Sequence, residues 1–120
     1  MTKEVGRVSA RVSTILESKI AANQPIYLGR SNIAHIRKRH PDDYAKYGHC
    51  IKQILSSPDY VGENPNDGSI EYVKEFLIEQ EYVKVALRVS GGGSLFVRSL
   101  YVLNPNRVNN FITKGTLKKV

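Results

Sequence analysis

Hydrophobic positions recur at helical spacing in the first half of the chain and alternate with polar positions in the second half. A period near 3.6 is typical of an amphipathic helix, and strict alternation is typical of a strand with one buried face. Residues 8–22 therefore predict a first helix, whose apolar stripe consists of Val8, Val12, Ile15, Leu16 and Ile20. Residues 26–28 fit either a short strand or a packed connector.

Two further helical segments follow this connector. Ser31 is suited to cap a second helix over residues 32–40, because its hydroxyl can accept a hydrogen bond from the first free backbone amides. Pro41 ends that helix, since a proline disfavours helical backbone in the residue before it. Residues 42–56 predict a third helix.

The alternating segments predict strands over residues 59–64, 69–78, 81–89 and 94–103, and a last edge strand over residues 116–120. Residues 107–112 fit a short helix or a loop. Helices followed by an antiparallel meander indicate an α+β fold in two layers. With 120 residues, the chain is expected to form one compact unit.

The central hairpin has a glycine-rich turn that permits several registers, so the apolar pattern decides among them. Matching apolar positions places Val83 beside Leu100 and Leu87 beside Phe96. Arg98 then lies among apolar residues on the face that the helices cover. Since an unpaired buried guanidinium is costly, Arg98 is expected either to pair with an acid or to line a cleft that binds an anion.

The opposite face of the same hairpin gathers polar and aromatic side chains, namely Tyr82, Lys84, Arg88, Ser99 and Tyr101. Two placements of a functional site therefore stay open. A cleft between helices and sheet would combine His40 with Arg98. A site on the open face of the sheet would use the residues of that face instead.

Charge is distributed unevenly along the chain, whose formal net charge is +7. Residues 1–58 carry ten basic and four acidic side chains, and residues 59–81 carry one basic and seven acidic side chains. Residues 82–120 carry seven basic side chains and no acidic one. Such a segment suits a polyanion, because each Lys or Arg at a phosphate releases condensed counterions. The alternatives are an inert basic surface and a patch that binds an acidic protein.

Two histidines lie on the predicted second helix. Ile33, Ile36 and His40 fall within about 60° of each other on a helical wheel, so His40 extends the buried stripe at the end of the helix. His35 falls on the far side, near Arg39, and both histidines also fit purely structural roles. Their spacing does not match the three- or four-residue spacing of a helical zinc pair. Neither a metal nor another cofactor is predicted.

Three segments, "IYLGRSNIAHIRKRHPDDYAKYG", "VKVALRV" and "LFVRSLYVLNPNRVNNFITKG", resemble the phage-associated branch of the barnase–EndoU–colicin–RelE-like (BECR-fold) nuclease superfamily. The resemblance covers residues 26–116. It implies an α+β fold in which N-terminal helices pack on a four-stranded antiparallel β-sheet. It also implies that residues 1–25 form an N-terminal helical extension and residues 26–120 a nuclease-like domain.

The same resemblance implies a toxin that cleaves RNA without a metal, by attack of the 2′-hydroxyl and with a 2′,3′-cyclic phosphate product. The catalytic groups of such families are a helix histidine, basic residues from the sheet and a late hydroxyl. The matching positions are His40, His35, Arg98, Lys84, Ser99, Tyr101 and Thr113. Further phosphate contacts are predicted for Arg88, Arg37 and Arg107.

One feature departs from the family pattern. Barnase relatives use a strand glutamate as the base, but residues 82–103 contain no acidic side chain. Glu71 and Glu75 are the strand candidates, so the identity of the base stays open. The alternative functions are a non-catalytic nucleic-acid-binding module, whose aromatic side chains would stack on bases, and a protein-binding module of a phage or mobile element.

The predicted partners are RNA and an acidic antitoxin or immunity protein. No apolar run approaches the roughly 20 residues needed to cross a bilayer. The N-terminal residues also lack the apolar segment of a signal peptide. The sequence therefore predicts no membrane association and an activity in the cytoplasm, either its own or that of a target cell.

Overall fold

Seven strands form one mixed sheet in the computed structural model, which describes residues 2–120. They are β1 (Thr2–Arg7), β2 (Pro25–Gly29), β3 (Tyr60–Glu63), β4 (Ile70–Phe76), β5 (Glu81–Val89), β6 (Leu95–Leu103) and β7 (Leu117–Lys119). Across the sheet they follow the order β1-β2-β6-β5-β4-β3-β7. Neighbouring strands are antiparallel, apart from β2 and β6, which run parallel.

Within the same residues 2–120 there are five α-helices and one 3₁₀ turn. The helices are α1 (Ala10–Ile15), α2 (Arg30–Arg39), α3 (Pro41–Tyr47), α4 (Ile51–Ser56) and α5 (Pro105–Thr113), and the 3₁₀ turn (Gly48–Cys50) lies between α3 and α4. Gly29 rather than Ser31 precedes α2 as its cap, and its backbone amide donates to Asn32 Oδ1 over 2.8 Å.

The predicted architecture of N-terminal helices on a four-stranded antiparallel sheet is wrong. Residues 2–120 form seven strands in a mixed sheet, and α5 follows β6 rather than preceding the sheet. Two of the additional strands are edge strands with a single buried side chain each, Val5 in β1 and Leu117 in β7. The sequence predicted β7 as an edge strand over residues 116–120, whereas β1 lacks the alternating pattern that reveals a strand, so its pairing with β2 determines its conformation.

Helix α1, Ala10–Ile15, is shorter than the helix predicted over residues 8–22. Glu17 and Ser18 adopt positive φ angles of 56° and 61°, which ends the helical backbone after α1. The stripe is nevertheless buried: Val8, Val12, Leu16 and Ile20 all belong to the core. The hydrophobic pattern therefore identified the buried residues correctly, while the backbone reaches that burial through a helix and a turn.

The larger core lies between one face of the sheet and helices α1 to α4. Ile36 of α2 and Ile54 of α4 have no exposed surface, and they pack with Tyr72 and Leu87 from the sheet. Burying an aliphatic side chain of this size contributes about 1.5–3 kcal/mol relative to leaving it exposed. This layer therefore anchors α2, the helix that carries the two candidate histidines.

A second, smaller core covers only one end of the opposite face, which we call the outer face. There α5 packs its Val108 against Val73, Leu103 and Leu117 of the sheet. Among residues 2–120, α5 is the only helix that contributes to this core, and polar residues of β4, β5 and β6 line a cleft on the rest of the outer face.

The central hairpin pairs in a different register from the predicted one, and β6 also contains a β-bulge. Ala86 lies opposite Ser99 and Leu87 lies opposite Val97, so that Arg98 is an extra residue on β6. A bulge of this kind leaves one residue unpaired and changes which face the following side chains occupy.

The bulge places two consecutive residues, Arg98 and Ser99, on the outer face. Val97 and Leu100, which flank them, are both fully buried in the larger core. Arg98 is exposed and Ser99 is half-buried, and both line the open face of the sheet. The prediction that Arg98 lies among apolar residues under the helices is therefore wrong, and the charge is placed where water and ligands can reach it.

Helices α2 and α3 follow the edge of β6 that β2 leaves free. Strand β2 pairs with β6 only at Ile26–Leu95 and Tyr27–Phe96. Further along, the Val102 amide donates instead to the Asp43 carboxylate over 3.1 Å. The junction of α2 and α3 is thereby held beside the outer face. None of the helices formed by residues 2–120 has the length and apolar character that crossing a bilayer requires.

Candidate active site

A cleft of about 280 Å³ lies on the open part of the outer face, between the α2–α3 junction and the turn that connects β3 to β4. Six of the predicted site residues line it: His35, His40, Lys84, Arg98, Ser99 and Tyr101. The structure therefore brings His40 and Arg98 together with Lys84, Ser99 and Tyr101 on the outer face, whereas Tyr82 and Arg88 do not line this cleft. The outer face supplies the cations and hydroxyls, and the edge helix supplies the histidines.

The floor of the cleft is a buried ion pair. Lys84 Nζ donates to Glu71 Oε2 over 2.7 Å, and the two side chains are only 9% and 5% exposed. Asn64 Nδ2 makes a longer contact of 3.4 Å with the same carboxylate oxygen. Burial on its own lowers the pKa of Lys84, but the interactions with Glu71 and Tyr101 outweigh it and raise the pKa above the ordinary lysine value. Lys84 is therefore a fixed positive charge at neutral pH.

Tyr101 connects this cation to the histidine of the helix junction. The Lys84 ammonium lies 4.6 Å from the centroid of the Tyr101 ring. The His40 ring stacks on Tyr101 with centroids 4.7 Å apart and an interplanar angle of 26°. Tyr101 thus has a cation and an imidazole in contact with one ring, which fixes where the imidazole sits relative to the charge.

The position of His40 follows from the end of α2. Its amide donates to the carbonyl of Ile36, as in a last helical turn, but its own φ of −139° and ψ of 60° leave the helix. Pro41 then starts α3. Because His40 is no longer helical, its ring reaches the same cleft as His35, which a continuous helix would have placed on a different side. His35 is exposed, and His40 is half-buried.

Arg98 forms the opposite wall of the cleft. Its Nη1 donates to Asp67 Oδ2 over 3.0 Å, and both side chains remain more than two-fifths exposed, at 44% and 43%. Asp67 Oδ1 accepts hydrogen bonds from both the amide and the hydroxyl of Ser69. These bonds from Ser69, and then the charge of Arg98, hold the pKa of Asp67 below its ordinary value. The pair is formed but open to solvent.

Four predicted residues lie outside this cleft. Arg88 is next to it, in an adjoining cavity that shares Arg98. Thr113 is exposed at the end of α5. Arg37 lies over the Tyr44 ring and Arg107 over the Phe111 ring, at 5.1 Å and 5.8 Å from the centroids. The structure therefore does not bring Thr113, Arg37 or Arg107 together with the histidines.

Six residues that line the cleft were not among the predicted site residues, although Glu71 had been considered as a base: Arg39, Asn64, Asp67, Ser69, Glu71 and Ala86. Asn64 and Asp67 belong to the segment "NPNDG", which has the composition of a turn. Turn composition locates a loop in the sequence but does not show which face of the sheet the loop covers. Arg39 precedes His40 and had been noted only as a neighbour of His35.

This arrangement can bind an anion and move protons beside it. Guanidinium and ammonium groups converge on one small open cleft, and two imidazoles stand at its rim. Ser99 adds a hydroxyl that can donate a hydrogen bond. Residues 2–120 form no group of three or more His, Cys, Asp or Glu side chains arranged to hold a metal ion.

Comparison with known proteins agrees with this chemistry. The family model of the phage-Barnase-EndoU-ColicinE5/D-RelE like nuclease3 group matches residues 3–110. The match begins before residue 26, so it includes β1 and α1, and it confirms the resemblance predicted from the sequence. No curated protein and no solved structure matches the chain significantly. Because the family match spans most of the chain and the cleft lies inside it, the protein belongs to this family of phage-associated, barnase-, EndoU-, colicin- and RelE-like nucleases.

Proposed function

We propose that the protein is an endoribonuclease that needs no metal and cleaves RNA by attack of the substrate's own 2′-hydroxyl. The observation that carries this proposal is the stack of His40 on Tyr101 beside Lys84, because it places an imidazole next to a fixed cation in an open cleft. A nuclease family supports a nucleic-acid substrate. The choice of RNA rests on the proton-transfer groups, which need a nucleophile that DNA lacks.

The proposed reaction has two proton transfers and one displacement. A base removes the proton of the 2′-hydroxyl, and O2′ forms a bond to phosphorus. The bond between phosphorus and O5′ breaks, and an acid protonates the leaving oxygen. The products are a 2′,3′-cyclic phosphate and a free 5′-hydroxyl. A histidine is suited to either proton transfer at neutral pH, and each such transfer typically contributes about 10²–10⁴-fold to the rate.

The cations of the cleft stabilise the charge that builds on the phosphate. Arg98 can donate two parallel hydrogen bonds to two phosphate oxygens. Lys84 contributes a point charge that its raised pKa keeps protonated, so it acts as an electrostatic group rather than as a base. Preorganised charge of this kind is often the largest single contribution to catalysis.

We assign the proton transfers to His40 and His35 rather than to a glutamate. The Glu71 carboxylate is buried and held by Lys84 and Asn64, which supports a role in positioning Lys84. Ser99 is the hydroxyl best placed to donate to the phosphate, because it lies on the outer face directly opposite Ala86. Tyr101 orients the His40 ring.

The central experiment is cleavage of RNA by the purified protein in the presence of a chelator. We expect cleavage with a cyclic phosphate terminus and no cleavage of an oligonucleotide whose 2′-hydroxyls are replaced by hydrogen. His40→Ala is expected to lower the rate by about 10²–10⁴-fold. His49→Ala is the matched control, because His49 is exposed and does not line the cleft.

Two results would contradict the proposal. One is binding of RNA that depends on salt but leads to no cleavage, which would make the protein a nucleic-acid-binding module. The other is cleavage that His40→Ala and His35→Ala leave unchanged.

We further propose that the activity makes the protein a toxin with an acidic protein as its inhibitor. A cleft lined by exposed cations attracts an acidic partner as readily as a nucleic acid. Expression is expected to arrest growth, and His40→Ala is expected to relieve the arrest. Growth arrest by the His40→Ala variant at an equal protein level would argue against toxicity through RNA cleavage.

A further inference from the structure

A second cavity continues from the cleft along the outer face toward the turn between β5 and β6. It has a volume of about 560 Å³, and His35 and Arg98 line both cavities. Asn32, Arg88 and Phe96 line this cavity but not the cleft. A ligand in the cleft can therefore extend into this cavity without leaving the outer face.

Two of the lining side chains, Phe96 and Arg88, belong to a row of three on adjacent strands, and the third member of the row, Tyr27, lies beside the cavity lining. Phe96 is the register partner of Tyr27 in β2 and of Arg88 in β5. Direct partners on neighbouring strands point to the same face. The rings of Tyr27 and Phe96 have their centroids 5.8 Å apart with an interplanar angle of 40°. The row therefore presents two aromatic rings and then a guanidinium.

Phe96 is not needed to fill the core. Its neighbours Leu95 and Val97 are fully buried on the helix-covered face, whereas Phe96 lies half-buried on the outer face. A phenylalanine ring on a polar, open surface leaves apolar area in contact with water. A flat partner that stacks on the ring would remove that area from water.

Arg88 is exposed at the end of this row. Among residues 2–120, no carboxylate lies within ion-pair distance of its guanidinium, in contrast to Arg98. A free guanidinium beside an aromatic platform matches the two features of a nucleotide, a flat base and a phosphate.

We infer that the second cavity is a base-stacking subsite for single-stranded RNA, in which a base stacks on Phe96 and Arg88 binds the adjoining phosphate. The inference rests on the proposed function for the position of the scissile phosphate, which lies at Arg98 and His40. Stacking is tolerant of sequence, because every base has a flat face. The subsite therefore selects unpaired strands rather than a particular base.

The test measures binding separately from cleavage. The probe is a single-stranded hexamer of 2′-fluoro nucleotides, which lacks the attacking hydroxyl, with 2-aminopurine placed in turn on either side of the central phosphate. Stacking on an aromatic ring changes 2-aminopurine fluorescence. We expect this change with the wild-type protein and its loss in Phe96→Leu, together with at least about 5-fold weaker binding.

Phe111→Leu is the matched control. Phe111 is half-buried on α5 with a cation over its ring, but it lines neither cavity. It is expected to bind the hexamer like the wild type, and thermal unfolding verifies that both variants are folded. Arg88→Ala is expected to reduce the slope of log affinity against log salt by about 0.7, the value of one phosphate contact in a single strand.

The outcomes distinguish this inference from the proposed function. Equal affinity and equal fluorescence change in the wild type and Phe96→Leu would overturn the subsite, whether or not the protein cleaves RNA. A wild-type protein that binds the hexamer through Phe96 but never cleaves natural RNA would support the subsite and refute the endoribonuclease.

Discussion

Two ion pairs border the same cleft, and they differ in almost every physical respect. Lys84 and Glu71 are 2.7 Å apart and nearly inaccessible, with 9% and 5% of their side chains exposed. Arg98 and Asp67 are 3.0 Å apart and remain 44% and 43% exposed. The first pair lies within the sheet, and the second joins a β-bulge to a turn.

The difference indicates a division of roles. A buried pair cannot exchange its partner without leaving a charge unpaired in a poorly solvated place. An exposed pair is worth little, about 0.2–1 kcal/mol, so a phosphate can replace the carboxylate at small cost. In the proposed reaction, Lys84 therefore supplies a fixed positive charge, and Arg98 supplies a hydrogen-bonding contact that the substrate phosphate can take over from Asp67.

The largest expected effect comes from breaking the buried pair. Glu71→Gln leaves the Lys84 ammonium without its counter-charge, and we expect the free energy of unfolding to fall by about 3–5 kcal/mol. Chemical denaturation measures this change. The double variant Lys84→Met with Glu71→Leu is expected to regain most of the stability but not the RNA cleavage. A double variant that cleaves RNA normally would show that Lys84 has no electrostatic role.

The next effect is on catalysis at the exposed pair. Arg98→Ala is expected to lower kcat/KM for RNA by about 10²–10³-fold, as loss of one preorganised donor typically does. Its unfolding free energy is expected to change by less than about 1 kcal/mol. Arg11→Ala is the control, since Arg11 is exposed on α1, which packs on the opposite face of the sheet. Equal losses of activity in both variants would mean that overall charge matters, not position.

A smaller effect is expected from removing the charge of Asp67, which competes with the substrate phosphate for Arg98. Asp67→Asn keeps an oxygen that can accept from Ser69 but no longer carries the charge that holds Arg98. The KM for RNA is expected to fall by about 1.5- to 5-fold, the equivalent of an exposed ion pair, with kcat unchanged. Steady-state kinetics on a short RNA decides this. A rise in KM would instead assign Asp67 to positioning Arg98 for the substrate.

The smallest effect concerns pH. The pKa of Lys84 is raised in the folded protein, so the pair's contribution to stability is complete below the ordinary lysine pKa of about 10.4 and is lost as the pH rises through the folded value. Relative to the Lys84→Met, Glu71→Leu variant, the wild type is expected to show constant stability between about pH 7 and 9 and a decline above about 10.4. Denaturation curves over this range test it; a decline already near pH 8 would contradict a raised pKa.

The sequence predicted one side of the cleft well. Alternation along β5 and β6 places Lys84, Ser99 and Tyr101 on the same face, and the structure has them there. Pro41 correctly marked the end of α2, which is where the His40 ring turns toward the sheet. These features depend on local patterns that a few neighbouring residues determine.

The other side of the cleft, formed by Arg98 and Asp67, could not be predicted from local sequence patterns, because it depends on strand register and on a long-range contact. The predicted pairing of Leu87 with Phe96 matched apolar residues as well as the observed pairing of Leu87 with Val97 does. The observed register already differs by one residue at this pair, and the bulge adds a second shift, so that Val83 pairs with Val102 instead of Leu100 and Arg98 is exposed on the outer face. Asp67 was identifiable as a turn residue, but its contact with Arg98 joins positions 31 residues apart.

The bulge also separates the residues of β6 that line the cleft from those that stabilise the fold. Val97 and Leu100 secure β6 to the core, and the two residues between them carry no part of that burial. Substitutions at Arg98 and Ser99 can therefore accumulate at little cost in foldability. Deletion of one of the two residues would instead remove the bulge and shift the pairing of the rest of β6 with β5.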